Sequence, residues 1–161
     1  MKLTKISLFT LVAISCSGNS FAANDMELMP YLEETANTYL VPYLSRDLGK
    51  KVEVTAVPHQ PKLKLIIQNA SCDDYLSAVV RLGTLYPYKF FIDRLEEDSS
   101  LTSEQLYEPA KAGRMFQVAS GLLSADIASN PSVVVRCETT FKNAKESPVV
   151  TKINDEVLKL K

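Results

Sequence analysis

Ser71-Cys72-Asp73-Asp74-Tyr75-Leu76 reads as a helix opening around a cysteine. Ser71 is a suitable N-cap, because its hydroxyl can accept from an N–H group that the first turn leaves unpaired. Asp73 and Asp74 then sit where the helix dipole favours negative charge. Tyr75, Leu76, Val79, Val80 and Leu82 supply an apolar face at three- and four-residue steps. From here the helical period continues almost to Lys161. Gly83 and Pro87 are expected to interrupt it before it resumes with Phe90, Phe91 and Leu95, and Glu96-Glu97-Asp98-Ser99-Ser100 reads as a solvated loop. Thr102 and Gln105 have the spacing of a capping box, and the helix they start runs through Ala110, Met115, Phe116 and Val118 to a break expected at Gly121. Asn130-Pro131 and Ser147-Pro148 repeat one start signal, a capping side chain followed by proline at the first helical position. The first leads into Val133-Val134-Val135-Arg136-Cys137 and the second into Val149, Val150, Ile153, Val157 and Leu160.

Upstream of Ser71 the style changes. Met29, Leu32, Ala36, Tyr39, Leu40, Tyr43 and Leu44 mark an amphipathic helix over residues 26–48, kinked or divided at Pro42 and ended by Gly49. Two alternating runs, Val52 to Val57 and Lys62 to Ile67, flank Pro58-His59-Gln60-Pro61 and read as a β-hairpin. The fold expected is mainly α: a small disulfide-stapled helical domain over residues 71–161, preceded by an N-terminal helix and hairpin over residues 23–70, α+β taken together.

Residues 1–22 have the order of a signal peptide, with Lys2 and Lys5, then the apolar run Ile6 to Ile14, then small residues ending at Ala22 and Ala23. The apolar run is too short to span a bilayer, and no later stretch approaches about 18 uninterrupted apolar residues. A lipoprotein built on Cys16 is disfavoured, since Ala13-Ile14-Ser15 is a poor lipobox. Cleavage would deliver the chain to the periplasm with Cys72 and Cys137 as its cysteines. Two thiols in an oxidising compartment should pair, and no Cys-x-x-Cys or Cys/His cluster suggests a metal or redox site. Loss of Lys2 and Lys5 leaves 18 less 2 basic side chains against 19 acidic ones, a net charge of about −3. That balance gives no footprint for nucleic acid or an anionic membrane.

Cys72-Asp73-Asp74-Tyr75-Leu76 resembles the C-x-D/E-aromatic-aliphatic opening of the HdeA/HdeB family of periplasmic acid-stress chaperones. Pro131-Ser132-Val133-Val134-Val135-Arg136-Cys137 resembles the segment that leads to that family's second cysteine. Pro87 with Phe90, Phe91 and Leu95, and the lysine-rich end from Phe141 to Lys161, are similar in place to its aromatic and basic helices. The resemblance covers residues 71–161. The cysteines here are spaced further apart, with the excess in residues 96–128, and residues 24–70 have no counterpart in the small family members. The family implies a dimer that is silent at neutral pH and, in acid, loosens to cover unfolding periplasmic proteins. It works without a cofactor. Phe90, Phe91, Val133, Val134 and Val135 would then form a client-binding surface exposed by acid; the plainer reading makes them core.

Near pH 2 the carboxylates are largely neutral, and the net charge would rise to about +17. Self-repulsion of that size favours opening, although any protein this rich in carboxylates charges in acid. His59, between two prolines, reads as a solvated turn residue, and Glu96 to Asp98 lacks the alternating spacing of a calcium loop. One turn histidine and no nucleophile elbow or phosphate loop argue against an enzyme. The alternative from another class is a dedicated periplasmic binding protein: a toxin-immunity protein, or an accessory subunit of an envelope secretion or pilus system. Lys62 to Ile67 would offer such a protein an edge strand.

Overall fold

The computed structural model describes residues 23–97 and 107–160. The expected leader with Cys16, the expected Thr102–Gln105 capping box and Asp98 to Ser100 lie outside them. Helix α1 (Ala23–Thr35) passes through a π turn (Ala36–Leu40) into α2 (Val41–Leu48), and Gly49, at φ 63°, ends it in the left-handed region that glycine enters at no steric cost. Strands β1 (Val52–Ala56) and β2 (Leu63–Ile67) pair antiparallel, with Val54 opposite Leu65. Their inward residues Val52, Val54, Leu63, Leu65 and Ile67 are buried and the alternate ones face out. His59, at φ 60° and exposed, sits in the connecting turn.

Ser71 caps α3 (Cys72–Val80) with the full reciprocal pattern: its hydroxyl accepts from the Asp74 N–H, and the Asp74 carboxylate accepts from the Ser71 N–H. The chain does not stop at Gly83 or Pro87. It continues through a second π turn (Arg81–Leu85) into α4 (Tyr86–Glu97), which also takes Glu96 and Glu97 out of the expected loop. Pro42 and Pro87 stand two residues beyond a π turn, so the expected kink is replaced by a widened turn just upstream. The reason lies in the proline ring, which offers no N–H and crowds the carbonyl four residues back. The preceding residue instead bonds five back, Val41 to the Ala36 carbonyl and Tyr86 to the Arg81 carbonyl. Pro87 then leaves the Leu82 carbonyl without a helical donor, and the buried Ser120 hydroxyl supplies one.

Helix α5 (Tyr107–Ser129) runs unbroken through Gly121, which is exposed and costs the helix only its missing side chain. It is followed by α6 (Pro131–Arg136), α7 (Glu138–Lys142), a 3-10 turn (Ala144–Glu146) and α8 (Pro148–Lys159). Asn130 and Ser147 cap α6 and α8, each accepting from the N–H two residues on. Helix α5 is the centre of the packing, in contact with α1, β2, α3, α4, α6 and both π turns. Phe116 on α5 stacks on Phe90, ring centroids 4.2 Å apart, and Tyr39 meets Phe90 edge-on. One core cluster includes Leu32 and Leu40 from the first rod, Leu63 and Leu65 from the hairpin, and Leu82, Leu123 and Ile153 from the remainder. The fold is mainly α with one two-stranded sheet, and Cys72 is disulfide bonded to Cys137 across a Cα–Cα distance of 5.3 Å. No helix among the described residues is long and apolar enough to cross a membrane.

Candidate functional site

Where α2, the α3–α4 rod and α8 come together, a cation is buried. Arg81 opens the second π turn and is 5% exposed. Its Nη1 donates to Asp47 Oδ2 at 3.1 Å and to Glu156 Oε2 at 2.9 Å, its Nη2 donates to Glu156 Oε1 at 3.2 Å, and its Nε donates to Ser77 Oγ. The fork on Glu156 is bidentate, the geometry in which a guanidinium holds a carboxylate best. Asp47 is shared further. Tyr86 Oη donates to its Oδ2 at 2.8 Å and Arg46 Nε to its Oδ1 at 2.8 Å. Tyr86 in turn stacks on Tyr43, whose hydroxyl donates to Asp93, itself paired with Lys89. A cleft of about 220 Å³ opens beside this cluster, between Leu85 and Leu160, with Lys89 and Lys159 also in its walls.

The electrostatics follow from the contacts. Burial pushes the Asp47 carboxyl upward, but hydrogen bonds from Arg46 and Tyr86 and the charge of Arg81 outweigh it and hold Asp47 below its ordinary range. Burial and the same hydrogen bond push the Tyr86 phenol far up. Burial would lower Arg81, and its bond to Glu156 with the neighbouring negative groups overcomes that. Three helical segments are thus joined through carboxylates whose negative charge pairs with one buried guanidinium.

A second buried carboxylate holds the hairpin. Asp126 on α5, 6% exposed, accepts from the Leu65 N–H at 3.2 Å and from Lys62 Nζ at 2.9 Å. On the other side of the ribbon, Asn37 in the first π turn donates to the Val54 carbonyl at 3.0 Å. Leu65 and Val54 are the groups that antiparallel pairing turns away from the partner strand. Each edge of the ribbon is therefore engaged at its middle residue, including the Lys62–Ile67 edge considered for strand addition.

The five apolar residues proposed from sequence separate. Phe90 and Val133 are core, at 3% and 4% exposure, whereas Phe91, Val134 and Val135 reach the surface. Phe91 lies over Gly113 on α5, and Val134 and Val135 stand on α6 beside the disulfide, so they do not make one face in this state. Arg81, Asp47, Glu156, Ser120 and Asp126 were not singled out by the motifs. Their signal was a polar residue at a core-period position: Asp47 after Leu40 and Leu44, Arg81 beside Leu82, Glu156 after Ile153, and Ser120 and Asp126 around Leu123. No group of three or more His, Cys, Asp or Glu among the described residues is placed to hold a metal. The chain matches no known family model, no curated protein and no solved structure.

Proposed function

We propose that this chain acts in the periplasm as an acid-stress chaperone-like protein, of the kind the HdeA/HdeB resemblance implies, binding unfolding proteins at low pH without a cofactor. The observation that carries the reading is the joint at Arg81. The segments it connects are tied through the charges of Asp47 and Glu156 on Arg81, and the hairpin is tied through Asp126 to Lys62 and the Leu65 N–H. Acid neutralises carboxylates, which weakens charge pairs of this kind and adds net positive charge, so the packed helices loosen together. The Cys72–Cys137 bond limits how far the chain can expand, and the charge keeps an occupied complex in solution. The side-chain engagement of both ribbon edges at Leu65 and Val54 favours this reading over a dedicated binder that adds a strand to its target.

The test is aggregation of an acid-sensitive periplasmic protein at pH 2–3, with and without the purified mature chain, followed by neutralisation. Suppression in acid and recovery of soluble client on neutralising are expected. A chain that stays compact at that pH and leaves aggregation unchanged ends the proposal.

A further inference from the structure

Helix α8 lies against α3 and the π turn Arg81–Leu85. Its apolar stripe is Val150 and Ile153, both buried, with Val149, Val157 and Leu160 half-buried, positions that follow one helix face. Among the described residues, the ion pair that joins α8 to the rest of the molecule is Glu156 with Arg81. Residues 148–159 also lie outside the loop closed by Cys72 and Cys137, so the disulfide does not hold them. The seat that α8 occupies takes in the π turn with its buried Leu85 and continues into the open cleft between Leu85 and Leu160. It is a surface already fitted to an amphipathic helix with anchors three and four residues apart.

We propose that α8 is an acid-released strap: protonation of Glu156 and Asp47 frees it from Arg81, and the vacated seat takes an amphipathic helical segment of an unfolding protein. This rests on the chaperone reading above and names both the element that moves and the surface that binds. The charged groups around the joint are Arg46 and Asp47 from α2, Arg81 and Tyr86 from the α3–α4 rod, Lys89 from α4, and Glu156 and Lys159 from α8. Lys145 and Glu146, on the 3-10 turn before α8, are exposed. Lys89 keeps its own partner in Asp93 on α4, but neutralising the two carboxylates leaves Arg46 and Arg81 facing Lys159 of α8 with no carboxylate between them, so attraction turns to repulsion where the strap must lift. The occupant is argued from α8 itself: what fits the seat at neutral pH is a helix with apolar residues at i, i+3 and i+7, and a client segment of that pattern replaces it.

Amide hydrogen exchange of the mature protein at pH 7 and pH 3, corrected for intrinsic rates, tests the release. Protection over 149–159 should fall at least tenfold further than protection over 116–127 of α5. At pH 7, Glu156→Gln, which keeps the shape and loses the charge, should open the same amides at least tenfold more than wild type while α5 is unchanged. A synthetic peptide of residues 147–161, added in excess at pH 3, should compete with client and weaken the suppression of aggregation. Client protection with α8 still as protected as α5, or no effect of the peptide, overturns the strap and leaves the chaperone reading standing. Release of α8 without client protection overturns the chaperone reading, and docking in the seat with it. Should Glu156→Gln not fold, the wild-type exchange series and the peptide decide.

Discussion

Arg81 is a case of a charge that the helix period put in the core on purpose. Ser77, Asp47 and Glu156 accept from its Nε, Nη1 and Nη2, so its burial is offset by hydrogen bonds and not merely by proximity. Replacing it removes three partners at once. Arg81→Met fills most of the volume, and it should cost about 3 kcal/mol, the lower end for a broken buried pair because Asp47 keeps Arg46 and Tyr86 while Glu156 is 35% exposed and rehydrates. A urea midpoint at pH 7 measures it; an unchanged midpoint would show that the pair is ornamental. At this scale the sequence was readable where a rule has a local spelling. Ser71 with Asp74, Asn130 before Pro131 and Ser147 before Pro148 all cap as their spacing predicts. Arg81 was legible only as a polar residue at a core-period position, and its role was not, because its carboxylate partners lie 34 and 75 residues away.

Helices and hairpin were legible as elements, as was the stop at Gly49, but the breaks expected at Gly83, Pro87 and Gly121 do not occur. Gly83, Pro87 and Gly121 are all punctuation in isolation, yet each lies inside or beside a continuous helical path, because packing on α5 outweighs a local propensity cost of about 1 kcal/mol for glycine. Proline is a stronger veto, and the chain answers it by widening a turn, not by stopping. The glycines give a direct check on how much of α5 is set by packing. A Cβ at Gly121 would meet open space, whereas one at Gly113 would stand 2.9 Å from Phe91 Cε1. Gly121→Ala should therefore raise stability by about 0.5–1 kcal/mol, the ordinary helical gain. Gly113→Ala should forfeit that gain by displacing the Phe91 ring outward. Thermal melts of the two variants side by side read the difference, and equal shifts would mean that the α4–α5 crossing is looser than the Phe91 contact implies.

Over the whole molecule, pH and the disulfide act on the same reserve of stability. Asp47 and Asp74 are both held below the ordinary carboxylate range. For Asp74, burial opposes the shift, while the Ser71 N–H and hydroxyl and then Lys50 produce it. A carboxyl whose folded value is depressed contributes stability that is present above its unfolded value, about 3.9, and lost as pH falls through the folded one. The urea midpoint should thus hold nearly level from pH 7 to about 5 and decline steeply below about 4. Asp47→Asn should flatten that decline, since asparagine has no charge to lose, at the cost of a lower midpoint at pH 7. The Cys72–Cys137 bond closes a separation of 65 residues, which on the chain-entropy model is worth about 4 kcal/mol. The two effects should combine: at pH 3 the oxidised protein retains far-UV circular dichroism that the reduced protein has lost, while at pH 7 both remain folded. If reduction shifts the midpoint equally at both pH values but the reduced chain still keeps its helical signal at pH 3, the carboxylate joints are too weak to gate the fold, and opening in acid must have another cause.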